Sequence, residues 1–589
     1  MVLSAANRTC TGPEPPMRLA YARSLIAVMV IPVIPFSTAA SQERTGNPLP
    51  VPGRSIVTTT LGIVAASQPL AAKAGAEILD RGGNAIDAAI AANAVLGLVE
   101  PHMNGVGGDL FAIVYEAKTG KLHGLNASGW APTGLTPQLL AERGLNRMPN
   151  NGIFSVTVPG AVAGWEALRS RFGTKPFSEL LSSAIWYAEN GFPVSEVIAG
   201  EWAEQQRKLS ATPEAKSTFF IGDHTPIFGE VFRNPNLAAT LKRIADKGPD
   251  GFYRGPTAEA IVALSKTAGG TMTLDDLSEF KVEWQEPIKT TYRGWTVYEL
   301  PPQGQGIAAL MMLNIMERYP LGEWGFHDPR AMHVMIEAKK LAYADMLKYV
   351  GDPKFAAVPV TQMLSRDHAA ARAAKLDMSK AACDVMPAQI AGLEGAHGGD
   401  TIYLSVIDAE GNIVSFIQSN YSAFGSGLVP PKAGFPLHNR GSLFTLDAGQ
   451  PNTLAPRKRP LHTIIPAFME KDGTRIGFGI MGGWTQSQAH AQFVSDIADY
   501  GMTIQQALEA GRFVKNSFRG CDVSIEELVP ESTRNALKAL GHDVRVVERR
   551  TDTFGRGQAV MSTPDGVHFG ASEPRHDGAA IPQGAVRKQ

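Results

Sequence analysis

The sequence predicts an α+β fold, and three observations support this class. Helical periodicity dominates from about residue 155 to residue 390, strand-like runs dominate from Thr401 onward, and no internal repeat relates the two parts. The chain has 589 residues, of which 44% are hydrophobic, so it can bury a large core. Length alone leaves the number of domains open.

The first strong element is the string GGNAIDAAIAANAVLGLVEP, which predicts a helix. Asn84 is the expected N-cap, and Pro101 ends the pattern. The following NGVGGDLFAIVYE predicts a strand from Leu110 to Tyr115. A dinucleotide loop needs a strand before its glycines and a helix after them. The order here is reversed, so we exclude a nucleotide site.

Further along the chain, residues Phe177 to Asn190 and Met332 to Tyr349 have helical periodicity. Two strand-like runs, Ile402 to Ile407 and Ile413 to Gln418, flank the turn sequence Ala409 to Asn412. This spacing predicts a β-hairpin that begins directly at Thr401.

The N-terminus has the pattern of a secretory signal. A basic region from Met17 to Arg23 precedes an apolar run from Leu25 to Phe36, and Ser37 to Ala40 offers small residues for cleavage. We expect residues 1–40 to be a signal peptide whose true start is Met17, and the protein to be periplasmic or secreted. The apolar run is shorter than the roughly 20 residues that span a bilayer, so we expect no stable membrane insertion.

Charge and metal-ligand residues exclude other classes. Lys and Arg number 55 against 56 Asp and Glu, without a basic stripe, which argues against nucleic acid as a partner. The 13 histidines have no His-Glu-x-x-His spacing, so we predict no metal and no cofactor. Cys10 lies in the predicted signal, and the sequence leaves open whether Cys383 and Cys521 pair.

The string AHGGDTIYLSVIDAEGN carries the main chemical hypothesis. A threonine hydroxyl needs an adjacent base to become a nucleophile, and a free α-amine on the same residue can be that base. Thr401 has this amine only if the Asp400–Thr401 bond is cut. Its own hydroxyl can attack the Asp400 carbonyl, and Gly398 and Gly399 give the backbone the necessary freedom. The alternative is a flexible linker entering a strand.

The chain resembles the γ-glutamyltranspeptidase family of N-terminal-nucleophile hydrolases. The shared strings occur in the same order through most of residues 55–575: GGNAIDAA, NGVGGDLF, VPGAVAGW, FYRGPTAEAI, GGTMTLDDL, EAKKLAYAD, GDTIYLSVIDAEGN, FGSGLV, KRPLHTIIP and MGGWTQSQ. The resemblance implies a four-layer αββα sandwich, a large segment of residues 41–400 and a small segment of residues 401–589 that remain together, and autocleavage between Asp400 and Thr401.

The resemblance also assigns catalytic roles. Thr401 is the nucleophile and, through its α-amine, the general base. Ser419 matches a threonine whose hydroxyl steadies the nucleophile, the alternative being an ordinary strand serine. Gly482 and Gly483 match the diglycine whose backbone N–H groups hold the oxyanion, the alternative being a tight turn.

The substrate pocket departs from the family pattern. Transpeptidases bind the substrate α-carboxylate with an arginine where this chain has Ser128, Gly129 and Trp130, and they present an aspartate to the α-amine where it has Leu443. A buried carboxylate needs a partner, and Arg440 is our candidate; its alternative is a surface ion-pairing residue.

The remaining substrate-binding candidates are Tyr421, Asn439, His462 and Thr463. We expect His462 to be a hydrogen-bonded wall of the pocket rather than a second base.

The predicted activity is acyl transfer from a small-molecule amide to Thr401 and then to water or an amino acid or peptide acceptor. Glutathione and other γ-glutamyl compounds are the substrates that the family implies. A cephalosporin-acylase-like or oxamate-type amidohydrolase is the alternative, and an unprocessed, non-catalytic binding protein is a remote third hypothesis.

Overall fold

The computed structural model describes residues 47–385, 400–548 and 552–585. The predicted signal peptide, 1–40, and the two glycines 398–399 lie outside the described residues. The described residues belong to one compact unit. None of their helices is both long enough and apolar enough to cross a bilayer.

The strands of the described chain are mostly short and antiparallel. In chain order they are β1 (Val57–Thr59), β2 (Ile63–Ala66), β3 (Asp109–Glu116), β4 (Lys121–Ala127), β5 (Phe192–Pro193), β6 (Val231–Phe232), β7 (Glu283–Gln285), β8 (Ile288–Tyr292), β9 (Trp295–Glu299), β10 (Asp400–Ile407), β11 (Ile413–Tyr421), β12 (Ala467–Lys471), β13 (Thr474–Met481), β14 (Phe513–Val514), β15 (Asp522–Glu526), β16 (Asp543–Val547), β17 (Arg556–Ser562), β18 (His568–Ser572) and β19 (Ala579–Pro582).

The helices lie on both sides of residue 400. In chain order they are α1 (Pro69–Asp80), α2 (Ala85–Val99), α3 (Pro137–Glu142), α4 (Ala161–Phe172), α5 (Phe177–Leu180), α6 (Ser182–Asn190), α7 (Glu196–Glu204), α8 (Gln206–Leu209), α9 (Pro213–Phe219), α10 (Pro235–Lys247), α11 (Asp250–Tyr253), α12 (Gly255–Thr267), α13 (Leu274–Ser278), α14 (Gly306–Met316), α15 (Leu321–Trp324), α16 (Pro329–Tyr349), α17 (Val360–Met363), α18 (Arg366–Ala373), α19 (Gln486–Ala498), α20 (Ile504–Glu509) and α21 (Glu531–Ala539).

Two seven-stranded antiparallel sheets form the centre of the fold. The first has the order β19-β2-β10-β11-β3-β4-β7, and the second has the order β1-β18-β17-β13-β12-β9-β8. We call them the nucleophile sheet and the partner sheet. Two small sheets, β5-β6 and β14-β15-β16, lie outside this pair.

The predicted hairpin is confirmed and forms the middle of the nucleophile sheet. Strands β10 and β11 pair from Thr401 opposite Ser419 to Ile407 opposite Ile413. All nine residues of β11 are buried, which is expected of a strand that is covered on both faces.

The two sheets pack face to face through β10. The Tyr403 ring lies against Gly479 of β13, where a Cβ would come within 2.4 Å of the ring. The Ser405 hydroxyl lies 3.2 Å from the Gly477 carbonyl oxygen. Glycines on β13 therefore allow the sheets to approach closely at this point.

Helices cover the outer faces of both sheets. The predicted helix α2 is confirmed, with a capping box at Asn84 and Asp87; it packs with α1 and α4 near the nucleophile sheet. Helices α14 and α19 pack beside the partner sheet in a second hydrophobic core, together with the predicted long helix α16.

The prediction of a mostly helical region followed by a strand-rich region is confirmed in outline. The region 155–390 also contains the strands β5 to β9, and the region after Thr401 also contains the helices α19 to α21. Both sheets take strands from both parts of the chain because strands distant in sequence pair to bury their faces. The segment Phe177 to Asn190, which has helical periodicity, forms two successive helices, α5 and α6.

Candidate functional site

The Asp400–Thr401 bond lies at an irregularity in the nucleophile sheet. Asp400 pairs with Tyr421 and Thr401 pairs with Ser419, so Asn420 is an extra residue on β11. Such bulges bend a strand locally and leave one residue outside the ladder. The Asn420 amide instead donates to the Met103 carbonyl at 2.8 Å. Tyr421 has φ of +73°, a strained conformation for a residue with a side chain.

The two predicted hydroxyls meet across the hairpin. Thr401 is 1% exposed, and its Oγ1 donates to Ser419 Oγ at 3.1 Å. Ser419 Oγ also accepts a hydrogen bond from the Tyr421 amide at 2.7 Å. The Ser419 hydroxyl is therefore fixed by its own strand and can orient the Thr401 hydroxyl.

A carboxylate that the sequence analysis missed continues this row. Ser419 pairs with Asp109, the first residue of β3, so Thr401, Ser419 and Asp109 are neighbours on three adjacent strands. Asp109 is fully buried. The only signal in the sequence is an acid between the glycines of NGVGGDLF and an apolar strand.

Asp109 organises three of the predicted substrate-binding residues. Arg440 donates to its two carboxylate oxygens at 2.9 and 3.2 Å, and His462 Nε2 donates to it at 2.7 Å. The remaining terminal nitrogen of Arg440 donates to Thr463 Oγ1 at 2.7 Å. The guanidinium also stacks over the Tyr421 ring, 4.7 Å from its centre. Because Arg440 is fully buried, it is not a surface ion-pairing residue.

Burial and charge set the protonation states in this cluster. Burial alone would raise the pKa of Asp109, but Arg440 and His462 outweigh it and hold that pKa well below its usual value. Burial, followed by the Arg440 charge, lowers the pKa of His462 to about 4. His462 is therefore neutral near pH 7, with Nδ1 accepting from the Ile464 amide at 3.3 Å. This fits a wall residue better than a base.

The diglycine follows the end of a strand of the partner sheet that packs against β10. Tyr403 faces Gly479 and Ser405 faces Gly477, so β10 runs antiparallel to β13 across the gap between the sheets. Because side chains alternate along a strand, Thr401 is on the same face of β10 as Tyr403 and Ser405. Gly482 and Gly483 follow Met481 directly.

The diglycine conformation favours glycine at both positions. Gly482 has φ of +136° and Gly483 has φ of +55°. A Cβ on Gly482 would also come within 3.1 Å of the Gly555 Cα. The two residues turn β13 into a 3₁₀ turn, Gly483–Thr485.

The segment 128–130, which lacks the family arginine, is contacted by a different arginine, Arg459. Arg459 is 1% exposed, and its Nε donates to the Ser128 carbonyl at 2.8 Å. Its guanidinium lies 5.7 Å from the Trp130 ring centre and forms an ion pair with Glu283. Leu443 is 1% exposed and lies in the hydrophobic core.

Asn439 braces a loop. Its Nδ2 donates to the Asn150 carbonyl at 2.6 Å and to Ser422 Oγ at 3.0 Å, while its Oδ1 accepts from the Ser422 amide at 3.0 Å. The structure thus brings Thr401 and Ser419 together and joins Tyr421 to Arg440, His462 and Thr463; Asn439 is adjacent to Arg440 in sequence.

One group of side chains has the composition of a metal site. His333, Glu337 and His542 are buried, with ligand atoms within 4.8 Å of one another. Their atoms already have partners: His333 Nδ1 lies 2.8 Å from His542 Nε2, and Lys340 Nζ lies 2.6 Å from Glu337 Oε1. A lysine ammonium beside the only carboxylate opposes a cation there.

The two cysteines that the sequence left open form a disulfide. Cys383 and Cys521 are bonded across 138 residues. The Gly520 amide donates to the Cys383 carbonyl, and the Asp543 amide donates to the Cys521 carbonyl, both at 2.9 Å. The disulfide therefore connects the chain on the two sides of the Asp400–Thr401 bond.

The chain is similar to a known family over most of its length. The family profile described as "Gamma-glutamyltranspeptidase" matches residues 71–583. The "Glutathione hydrolase-like YwrD proenzyme" of Bacillus subtilis is 36% identical over 527 residues, which cover 89% of this chain and 98% of the relative.

Two further relatives have other activities in their names. The "Oxamate amidohydrolase proenzyme" of Klebsiella pneumoniae is 35% identical over 532 residues, covering 89% of this chain and 98% of the relative. The crystal structure of a cephalosporin acylase from Bacillus halodurans has a TM-score of 0.84 and 40% identity, covering 91% of this chain and 98% of that one.

Proposed function

The chain belongs to the γ-glutamyltranspeptidase family, and on that premise we propose that it is a self-processing amidohydrolase and acyltransferase whose nucleophile is Thr401. The observation that carries the proposal is the position of the Thr401 hydroxyl. It lies 3.1 Å from Ser419 Oγ, where β10 pairs with the bulged end of β11. The helices outside the two sheets support the four-layer αββα architecture that the family implies.

The first step in this proposal activates the enzyme. The Thr401 hydroxyl attacks the Asp400 carbonyl carbon, the C–N bond breaks, and the chain is joined by an ester. Water then hydrolyses the ester, which leaves a carboxylate on Asp400 and a free α-amine on Thr401. The large segment, 41–400, and the small segment, 401–589, stay together because both sheets contain strands from each.

The second step is turnover. The α-amine has a reference pKa of about 7.7 to 8.0, so near neutral pH a substantial fraction can accept the hydroxyl proton. Thr401 Oγ1 then attacks the substrate carbonyl, and backbone N–H groups of the diglycine hold the oxyanion. The amine product leaves with the proton, and water or an acceptor amine takes the acyl group from Thr401.

Glutathione and other γ-glutamyl compounds are the first substrates to test, because they are the family's. A second candidate substrate is an amide with a different acyl group, and the residues of the pocket support this alternative. Arg440 is already paired with Asp109, Arg459 is engaged with Ser128 and Glu283, and Leu443 replaces the family aspartate. An α-amino acid head group therefore lacks the two ionic contacts that transpeptidases provide.

The proposal predicts two fragments from one chain. From 62.9 kDa over 589 residues, segments 41–400 and 401–589 correspond to about 38 and about 20 kDa on a reducing denaturing gel. The Thr401→Ala variant should remain a single band and show no turnover, whereas Thr401→Ser keeps a hydroxyl and should still cleave. N-terminal sequencing of the light fragment must begin with threonine. Cleavage in the Thr401→Ala variant would assign the nucleophile to another residue.

A substrate panel separates the two candidate specificities. The mature enzyme is assayed with glutathione, a γ-glutamyl anilide, a glutaryl amide and oxamate at equal concentrations. Preference for the γ-glutamyl compounds supports the family activity. Turnover of only the glutaryl amide or oxamate supports the second candidate. A chain that remains at full length and turns over none of them would support the unprocessed, non-catalytic hypothesis.

We also propose export to the periplasm or outside the cell, on the basis of the signal-like sequence within residues 1–40. The disulfide is consistent with an oxidising compartment. Fractionation of the producing cells tests the location directly. N-terminal sequencing of the heavy fragment tests the signal peptide, since an exported protein lacks residues 1–40 in its mature form.

A further inference from the structure

We propose that Gln305 is a positioning residue that orients the diglycine for oxyanion binding. Gln305 precedes α14 and is fully buried. Its Nε2 donates to the Gly483 carbonyl at 2.7 Å and to the Thr463 carbonyl at 2.6 Å. One side-chain amide thus joins the diglycine to the loop that carries the pocket residues His462 and Thr463. This inference rests on the proposed function.

The surroundings fix which way the amide faces. Gln305 Oε1 lies 2.9 Å from Ser487 Oγ, which can donate to it. The Tyr343 hydroxyl has one proton, which it donates to the Trp484 carbonyl at 2.5 Å, and its oxygen lies 3.1 Å from Gln305 Oε1. Two carbonyls lie against Nε2 and accept only from the amide nitrogen, so they set the orientation of the amide.

Peptide geometry connects this amide to the oxyanion donors. In a trans peptide, the carbonyl of one residue and the N–H of the next point in opposite directions. The Gly483 carbonyl is held by Gln305 and by the Gln486 amide, so the Trp484 N–H points the other way. The Gly482 carbonyl accepts from the Thr485 amide at 2.9 Å, which directs the Gly483 N–H in the same manner.

Glycine makes this restraint necessary. Gly482 and Gly483 both have positive φ, and glycine has the largest conformational freedom of any residue. The peptide plane between the two glycines is tied by the Thr485 amide at the Gly482 carbonyl. The Gln305 amide ties the next plane at the Gly483 carbonyl from outside the turn. It thereby restrains the backbone of Gly483, whose N–H is one of the proposed donors, before negative charge develops on the substrate oxygen.

The test compares Gln305→Glu with Gln492→Glu. The first change places an oxygen opposite the Gly483 and Thr463 carbonyls. Gln492 is a matched control, because its Nε2 also donates to two backbone carbonyls, those of Gln488 and Phe513, at 2.9 and 3.1 Å. Loss of one oxyanion donor costs roughly 10²- to 10³-fold in kcat. We therefore expect about 10- to 100-fold lower kcat for Gln305→Glu, with KM within about threefold of wild type. For Gln492→Glu we expect an unchanged kcat.

Folding and processing are measured in the same samples. Urea midpoints establish that both variants fold, reducing gels establish that they are cleaved, and N-terminal sequencing establishes that Thr401 leads the light fragment. Tyr343→Phe is a milder variant, which keeps the amide but removes the hydroxyl that holds the Trp484 carbonyl and lies beside Gln305 Oε1; we expect a kcat reduced about threefold or more. This variant decides the question if Gln305→Glu does not mature.

The outcomes separate this inference from the proposed function. If the wild-type chain is not cleaved before Thr401, the proposed function fails and the role of Gln305 fails with it. If the wild-type chain matures normally and Tyr343→Phe and any mature Gln305→Glu have wild-type kcat, only the inference is overturned. A loss of kcat that Gln492→Glu shares equally also overturns it, because the effect is then one of general stability.

Discussion

The buried ion pair between Asp109 and Arg440 gives the sharpest stability prediction. Asp109→Asn keeps the size of the side chain but removes the negative charge, so the guanidinium of Arg440 remains buried without its counter-ion. Both residues are fully buried, and removing one partner of such a pair costs about 3 to 5 kcal/mol. The asparagine Oδ1 can still accept one of the original hydrogen bonds, so we expect the lower end, about 3 kcal/mol.

The assay is urea unfolding in the Thr401→Ala background, where the chain is expected to remain uncleaved and to unfold as one molecule. A double-mutant cycle adds Arg440→Met, which removes the second charge. Replacing both members of a buried pair is often nearly neutral, so the double variant should recover most of the stability lost by Asp109→Asn. A loss below about 1 kcal/mol for Asp109→Asn, or additive losses in the double variant, would refute the reasoning.

The remaining predictions concern the disulfide and pH. After cleavage, Cys383–Cys521 should hold the two segments in one band on a non-reducing gel and release two on reduction; two bands without reductant would contradict it. The pKa of His462 is lowered from 6.5 to about 4, so the unfolded chain binds a proton between these values that the folded chain does not. This difference in pKa corresponds to about 3 kcal/mol of folding free energy. The neutral His462 should contribute this stability in full above pH 6.5, and the folded protein should lose it as pH falls toward 4. Urea midpoints of wild type and His462→Gln should therefore converge with acidification, and a constant difference would contradict the assignment.

Much of the catalytic centre could be predicted from the sequence because it depends on local pattern. The hairpin from Thr401 to Gln418 consists of two apolar runs with a turn between them, and it needs no distant partner to define its register. That register alone places Ser419 opposite Thr401. The helix that begins at Asn84 was predictable for the same reason, since its cap and its composition are contiguous.

The pocket could not be predicted because it depends on contacts between distant residues. Asp109 and Arg440 are 331 residues apart, and Gln305 and Gly483 are 178 apart. The local sequence around Asp109, an acid after two glycines, does not predict which residue it will contact, and neither does the string LPPQGQG around Gln305. The strands β7 to β9 were missed because five or fewer residues with mixed exposure carry little periodic signal.

The division between these two kinds of contact explains how one fold can change its substrate while it keeps its reaction. Thr401 and Ser419 are set by strand pairing in a sheet that is covered on both faces, and a change there would disturb the core. Arg440, His462 and Thr463 lie in the connection between β11 and β12. A substitution at one of them changes the pocket and leaves the strand pairing of the sheet intact. In this chain Asp109 neutralises Arg440 inside the protein, so an incoming carboxylate must compete with an existing bidentate partner. If γ-glutamyl compounds prove to be good substrates, they must displace Asp109 from Arg440 or bind elsewhere. In the first case, Asp109→Asn would lower their KM even as it destabilises the fold.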